Sequence, residues 1–182
     1  MKEVEVKILN IKLEEFKKKI ENLGARPLGS RMFMKEVFLE PPGYSEEAAL
    51  FSSCRLRREG EKVFFTVKSK IESNNAIIRE EHQVEVSDFD TFLHAFELLQ
   101  FRVFRIREKY REAYELKEGV RIEIDLYPQM EPYAEIEAQT EEELWDAVDF
   151  LGYSKEETSS QTATELIRSV GLNPDSLVFE KK

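Results

Sequence analysis

Cysteine is nearly missing from this chain: Cys54 is the only one in 182 residues. No internal disulfide can form, so a reducing, cytoplasmic setting is the expectation. Histidine is almost as scarce. His82 and His94 cannot build the His/Cys ligand set that zinc prefers, so any metal would be a hard cation on carboxylate oxygens. No apolar run approaches the roughly 18 residues of a membrane span, and the chain opens on charged residues rather than an apolar export signal. A basic surplus is missing too. With 27 Lys and Arg against 37 Asp and Glu, the net charge of −10 argues against a nucleic-acid partner. It leaves room for a small anion in a local basic pocket. No linker-like composition break or fixed-period repeat divides the sequence. A hydrophobic fraction of 41% with 35% charged residues is that of a globular chain, and one domain over 1–182 is expected.

What the chain has is alternation. In Glu3-Val4-Glu5-Val6-Lys7 the charged side chains share one face of an extended strand, and Val4, Val6 and Ile8 share the other. The pattern predicts further strands at 32–39, 53–58, 62–69, 77–86, 102–115, 120–127 and 133–138. The middle pair reads as a hairpin turning at Glu59-Gly60-Glu61. Helices are expected where Leu13, Phe16, Ile20 and Leu23 form a stripe ended by Gly24, and after a capping box at Ser87-Asp88-Phe89-Asp90. Others are expected from Thr140 to Gly152 and over about 161–170. The polar run Ser69 to Ala76, with Ser73-Asn74-Asn75, reads as a loop. Many strands with few helical crossovers favour an antiparallel α+β fold, and this many strands tend to close into a barrel.

Parity sorts the charged faces. They carry Glu3, Glu5 and Lys7; Arg55 and Arg57; Thr66 and Lys68; Arg79, Glu81, Gln83 and Glu85; Arg105, Arg107, Lys109 and Arg111; Arg121, Glu123 and Asp125; Glu135 and Glu137. A solvated outer face with cross-strand ion pairs is the ordinary explanation for any single strand, and such pairs add only about 0–1 kcal/mol each. Clustered carboxylates such as Glu3/Glu5 and Glu135/Glu137 repel one another unless a cation sits between them. A divalent cation resolves that conflict. Off these faces, His82 reads as external and Cys54 as packed. Trp145, beside Leu144 and Val148, reads as a core or dimer contact, so a homodimer stays open.

The ordered set Glu3-x-Glu5-x-Lys7, Arg55-x-Arg57, Thr66-x-Lys68, Arg79-x-Glu81, Lys109-x-Arg111-x-x-Tyr114, Ile124-Asp125 and Glu135-Ile136-Glu137 resembles the CYTH superfamily, the triphosphate tunnel metalloenzymes. The resemblance implies a closed antiparallel β-barrel or tunnel of about eight strands, with a polar lumen and helices outside. It also implies a small-molecule triphosphate as ligand, with Mg²⁺ or Mn²⁺. By motif, Glu3, Glu5, Asp125, Glu135 and Glu137 would hold metal. Arg55, Arg57, Lys68, Arg79, Lys109 and Arg111 would grip phosphate. Lys7 would support the reacting end, and Glu5 or Glu137 would serve as base. Arg79, Glu81 and Glu85 also read as structural ion pairs, and Arg105, Arg107 and Arg121 as mouth or surface charges.

The sequence departs from the family pattern at Met34, Glu36 and Phe38, where Gln, Asp and Tyr are frequent. It departs again at Gln83, a frequent Glu, and at Thr162-Ala163, a frequent Ser-Tyr. The leading expectation is a metal-dependent triphosphatase acting on inorganic tripolyphosphate or on a nucleoside (ATP) or thiamine triphosphate. An adenylate cyclase forming cyclic AMP and pyrophosphate from ATP is the alternative. The His-Phe pair often found ahead of ExExK in family cyclases has no counterpart here. A non-catalytic polyphosphate- or nucleotide-binding module is the third reading, which the paired carboxylates disfavour.

Overall fold

The computed structural model describes residues 2–45, 50–69 and 76–180. Along the chain come β1 (Lys2–Ile8), α1 (Leu13–Asn22), β2 (Arg26–Pro27), β3 (Met32–Glu40), β4 (Phe51–Glu59), β5 (Lys62–Ser69) and β6 (Ile77–Val86). They are followed by α2 (Phe89–Leu98), β7 (Arg102–Lys117), β8 (Val120–Leu126), β9 (Tyr133–Ala138), α3 (Glu141–Phe150), β10 (Thr158–Ser159), α4 (Ala163–Ser169) and β11 (Ser176–Leu177). Most of the polar run at 69–76 lies outside the described residues.

Eight of these strands close on themselves. The order is β1-β6-β5-β4-β3-β7-β8-β9, with β9 pairing back onto β1 and every neighbour in the ring antiparallel. Closure leaves no long free edge. The two-residue strands β2 and β11 attach to β7, and β10 attaches to β1.

Register fixes which side chains face inward. Glu5 lies opposite Glu137, Val6 opposite Ile136 and Lys7 opposite Glu135, so charge meets charge and apolar meets apolar across the seam. The apolar set is outside. Val4, Val6, Ile122, Ile124 and Ile136 pack with Phe16 and Ile20 of α1 and with Leu144 and Val148 of α3. On the far side Phe89, Phe92, Leu93 and Phe96 of α2 cover Leu56 and Val63. Near the C-terminus, Leu166 and Ile167 of α4 pack with Tyr127, Tyr133 and Leu177. Burying each large aliphatic side chain contributes roughly 1.5–3 kcal/mol. A one-residue slip of a strand would turn all of its apolar residues inward, so the charged lumen is held in place by the oily exterior.

The helix ends follow the sequence with small shifts. Gly24, at φ +95°, lets Ala25 N donate to Ile20 O and Gly24 N to Glu21 O, the paired bonds that close a helix C-terminus. Thr140 and Glu143 form a reciprocal cap on α3. At α2 the cap is Asp88, whose side chain accepts from Thr91 N, and no reciprocal box forms there. Trp145 is packed against the core, with Lys155 Nζ 4.6 Å from its ring centroid. Among the described residues no helix is long and apolar enough to cross a membrane.

Candidate functional site

A cavity of about 1460 Å³ occupies the barrel. Its acidic part is built on three adjacent strands. Glu3 and Glu5 of β1 and Glu137 of β9 each bring a carboxylate oxygen within 4.8 Å of the others. Glu123 of β8, with Glu135 and Glu137 of β9, makes a second such group, and Glu137 belongs to both. Register explains the crowding, because Glu5 faces Glu137 and Glu123 faces Glu135 across neighbouring strands. Burial, and then the charges of Glu3 and Glu5, push the Glu137 carboxyl up to about 8. Burial opposes ionisation of Glu3 too, but the Lys68 ammonium and a hydrogen bond with Glu137 keep Glu3 below its usual range. Glu3 and Glu137 thus favour holding positive charge between them, where a hard cation would fit. This donor set, all carboxylate oxygen, suits Mg²⁺ or Mn²⁺.

The wall next to these carboxylates is cationic. Lys68 Nζ lies 2.8 Å from both Glu3 and Glu81, and Arg79 Nη2 lies 2.8 Å from Glu5. Arg55 Nη1 reaches Glu36 at 2.7 Å, and Arg57 Nη2 donates to Gln83 Oε1 at 3.3 Å. Not every donor is satisfied. Among the described residues the buried Nε atoms of Arg55 and Arg79 have no acceptor, whereas Arg57 Nε forms an ion pair with Glu59 at 2.5 Å. Buried unpaired guanidinium donors are rare in folded proteins, and here two line one lumen. Burial and the neighbouring Arg55 charge lower Arg57 to about 10. Glu36 resists its own burial: Lys109, Arg55, Arg57 and Arg107 hold it down at about 2.

Behind this surface lies an anchor. Asp125, fully buried, accepts from Lys109 Nζ at 2.7 Å, from Arg111 Nε and Nη2 at 2.6 Å each, and from Tyr133 Oη at 3.3 Å. Arg111 also donates to Glu135 at 2.7 Å and to Glu123. Lys7 is likewise enclosed, between Glu5 at 2.9 Å and Glu135 at 3.2 Å. Despite its burial, those two carboxylates raise its pKa above the ordinary lysine value.

The fold therefore brings together Glu3, Glu5, Glu135 and Glu137, and it lines the cavity with Arg55, Arg57, Lys68, Arg79, Lys109 and Arg111. Two sequence expectations are placed differently. Asp125 stands apart from both acidic groups, its oxygens taken by Lys109, Arg111 and Tyr133. Lys7 sits behind the lining, holding two carboxylates rather than facing the cavity. Glu123 takes the place expected of Asp125, and it shares that residue's parity two positions earlier. Arg107, expected at the mouth or surface, is buried at 2% exposure and lines the lumen, as does the central Glu36.

Comparison with known proteins agrees with this architecture. The CYTH domain model matches residues 1–168. The PH1012 protein of Pyrococcus horikoshii OT3 is 26% identical, with a TM-score of 0.74 over 90% of this chain and 98% of its own. A candidate adenylate cyclase of Vibrio parahaemolyticus is 16% identical, with a TM-score of 0.76 over 91% and 97%. HpAC1 of Hippeastrum, a candidate adenylyl cyclase with a dominant triphosphatase activity, is 17% identical, with a TM-score of 0.67 over 96% and 99%. No curated protein matches the chain in sequence.

Proposed function

The chain belongs to the CYTH domain family, and from that premise we propose that it is a metal-dependent triphosphatase, hydrolysing a terminal phosphoanhydride bond inside its tunnel. The observation that carries the reading is two carboxylate groups joined by Glu137 beside a cationic wall where, among the described residues, Arg55 and Arg79 keep Nε donors without an acceptor. Phosphoryl transfer is catalysed mainly by positioning and charge neutralisation, and this cavity is arranged for both. Arg55, Arg57, Arg79 and Lys68 grip the non-bridging phosphate oxygens, with the planar guanidiniums giving directional pairs. Glu3, Glu5, Glu123, Glu135 and Glu137 would hold Mg²⁺ or Mn²⁺, which when bound supplies charge neutralisation and lowers the pKa of water.

A water oxygen attacks the terminal phosphorus in line, the bridging P–O bond breaks, and the leaving phosphate keeps that electron pair. The water's proton passes to a carboxylate of the acidic group. Glu137 is the less engaged of the two candidates, because Glu5 already pairs with Lys7 and Arg79, whereas no ion pair engages Glu137 among the described residues; it would accept the proton once a bound cation has displaced its own. The dominant triphosphatase activity of HpAC1 supports hydrolysis over cyclisation.

The test measures phosphate, pyrophosphate and cyclic AMP released from tripolyphosphate, ATP and thiamine triphosphate, each with Mg²⁺, Mn²⁺ or chelator. Metal-dependent phosphate release is expected, with turnover lost and triphosphate affinity partly kept in Glu5→Gln. Cyclic AMP with pyrophosphate would replace hydrolase by cyclase. Binding without any product would leave a binding module.

A further inference from the structure

Among the described residues, one cation that the barrel strands turn towards the cavity has no partner. Arg55, Arg57, Lys68, Arg79, Lys109 and Arg111 are each tied to a carboxylate. Arg107 is held by Pro174 O and Thr164 Oγ1. Arg121 of β8 lines the same cavity, is exposed, and makes neither an ion pair nor a hydrogen bond with any described residue. Carboxylates are nevertheless close. The register sets Arg121 opposite Glu115 of β7 on one side and Glu137 of β9 on the other. Side chains so paired on one face start about 4.5–5.5 Å apart. The guanidinium takes neither.

Its place in the ring gives this freedom a use. The strands run β6-β1-β9-β8, with Arg79 of β6 opposite Glu3 and Arg121 of β8 opposite Glu137. A guanidinium therefore stands on each flank of the Glu3/Glu5/Glu137 group. Arg121 is also two residues, about 7 Å of strand, from Glu123 in the second group. A phosphoryl group held at these carboxylates has Lys68 and Arg79 on one flank and Arg121 on the other. The two flanks differ in what a phosphate contact displaces. Lys68 must leave Glu3 or Glu81, and Arg79 must leave Glu5, whereas Arg121 gives up nothing. In-line transfer spreads charge over the equatorial oxygens of the moving phosphoryl group, and a cation that reaches them then lowers the barrier.

Resting on the triphosphatase reading, we propose that Arg121 is a further catalytic residue, whose guanidinium closes on the terminal phosphoryl group from the β8 side as the bond to the leaving phosphate breaks.

The experiment measures kcat and KM for tripolyphosphate and ATP at saturating Mn²⁺ in wild type, Arg121→Gln, Arg121→Lys and Arg121→Ala. The alanine variant is assayed with and without millimolar guanidinium chloride. Loss of one donor aimed at developing charge costs roughly 10²–10³-fold in kcat, and Arg121→Gln should show that fall with KM moved far less. Lysine should recover only part of the rate, because it offers a point charge in place of a planar fork. Guanidinium should restore part of it to Arg121→Ala. A kcat in Arg121→Gln close to that of wild type overturns the proposal. So does a fall that guanidinium leaves unrescued and that tracks a loss of Mn²⁺ affinity by calorimetry, since the residue would then act through the metal. If wild type hydrolyses no triphosphate, the contact is read as tripolyphosphate affinity, with Mn²⁺ present, in wild type and Arg121→Gln. A fall of roughly tenfold or more keeps the contact while the hydrolase reading fails, and an unchanged affinity ends both. Turnover that Arg121→Gln leaves intact ends the contact alone.

Discussion

Replacing Glu137 by glutamine should stabilise the metal-free protein, although the residue belongs to both acidic groups. Burial and the charges of Glu3 and Glu5 raise the Glu137 carboxyl from 4.5 to about 8. Between those values the folded state holds more proton than the unfolded state, so stability falls as pH rises, by about 1.4 kcal/mol per unit. Accumulated to pH 7, the cost is on the order of 3 kcal/mol. Glutamine carries no charge to suppress, and its amide can still donate to Glu3. In chelator, thermal unfolding of both proteins at pH 5, 6, 7 and 8 should give curves that nearly coincide at pH 5. They should separate steadily above it, with the variant ahead by roughly 6–12 °C in Tm near neutrality for a chain of this size. Excess Mn²⁺ should close most of that gap, since binding adds about 3 kcal/mol to wild type at a hundred times Kd. A wild-type-minus-variant difference that does not change with pH would refute the electrostatic account. A variant less stable than wild type at pH 8 in chelator would do the same.

Asp125→Asn should behave as a core mutation. It strips the counter-charge from buried Lys109 and Arg111, at a cost of about 3–5 kcal/mol in stability by denaturant titration. If metal affinity collapses while stability is unchanged, Asp125 is a ligand after all. Glu36 gives the opposite pH sign from Glu137. Its folded value is held at about 2, so its contribution is complete above 4.5 and is lost as pH falls towards 2. The stability gap between wild type and Glu36→Gln should therefore be on the order of 3 kcal/mol at pH 6 and close by pH 2. A gap that persists in acid would count against this origin.

Much of the barrel is legible in the sequence because alternation is local. Val4, Val6 and Ile8 report their shared face without reference to any other strand. Which face becomes the lumen is not local: it follows from closure of β9 onto β1, and only the repetition of charged faces hints at it. Glu123 and Asp125 share parity, so spacing alone cannot say which is free to face the cavity. The stagger that sets Arg111 opposite Asp125 decides it, and the aspartate is captured. Lys7 has the right parity too, but the carboxylates of Glu5 and Glu135 close around it. Phe104 also lines the cavity, at a register slip where Phe38 faces Arg105 while Leu39 faces Val103, and it is hidden for a different reason. A bulge inserts one residue without a marker in composition, so strict alternation assigns Phe104 to the outside.

The ion pairs between neighbouring parts of the lumen wall also tie the two ligand classes together. Lys68 holds Glu3 and Glu81, while Arg79 holds Glu5. A divalent cation drawn to Glu3 and Glu5 must loosen those contacts, which frees the same ammonium and guanidinium for phosphate. An anion on Lys68 and Arg79 releases the carboxylates in turn, and linkage requires the two couplings to be equal. One consequence runs against ordinary expectation for a phosphate-binding lysine. Lys68→Met should tighten Mn²⁺ binding when no anion is present, because Glu3 no longer has an internal cation to give up. A charged hydrogen bond of this kind contributes about 1.5–3 kcal/mol, so a gain of roughly tenfold or more in Mn²⁺ affinity should appear by calorimetry in phosphate-free buffer. The same variant should bind tripolyphosphate more weakly. Weaker Mn²⁺ binding in Lys68→Met would mean that the lysine organises the carboxylates rather than competing for them, and the coupling would have to be sought elsewhere.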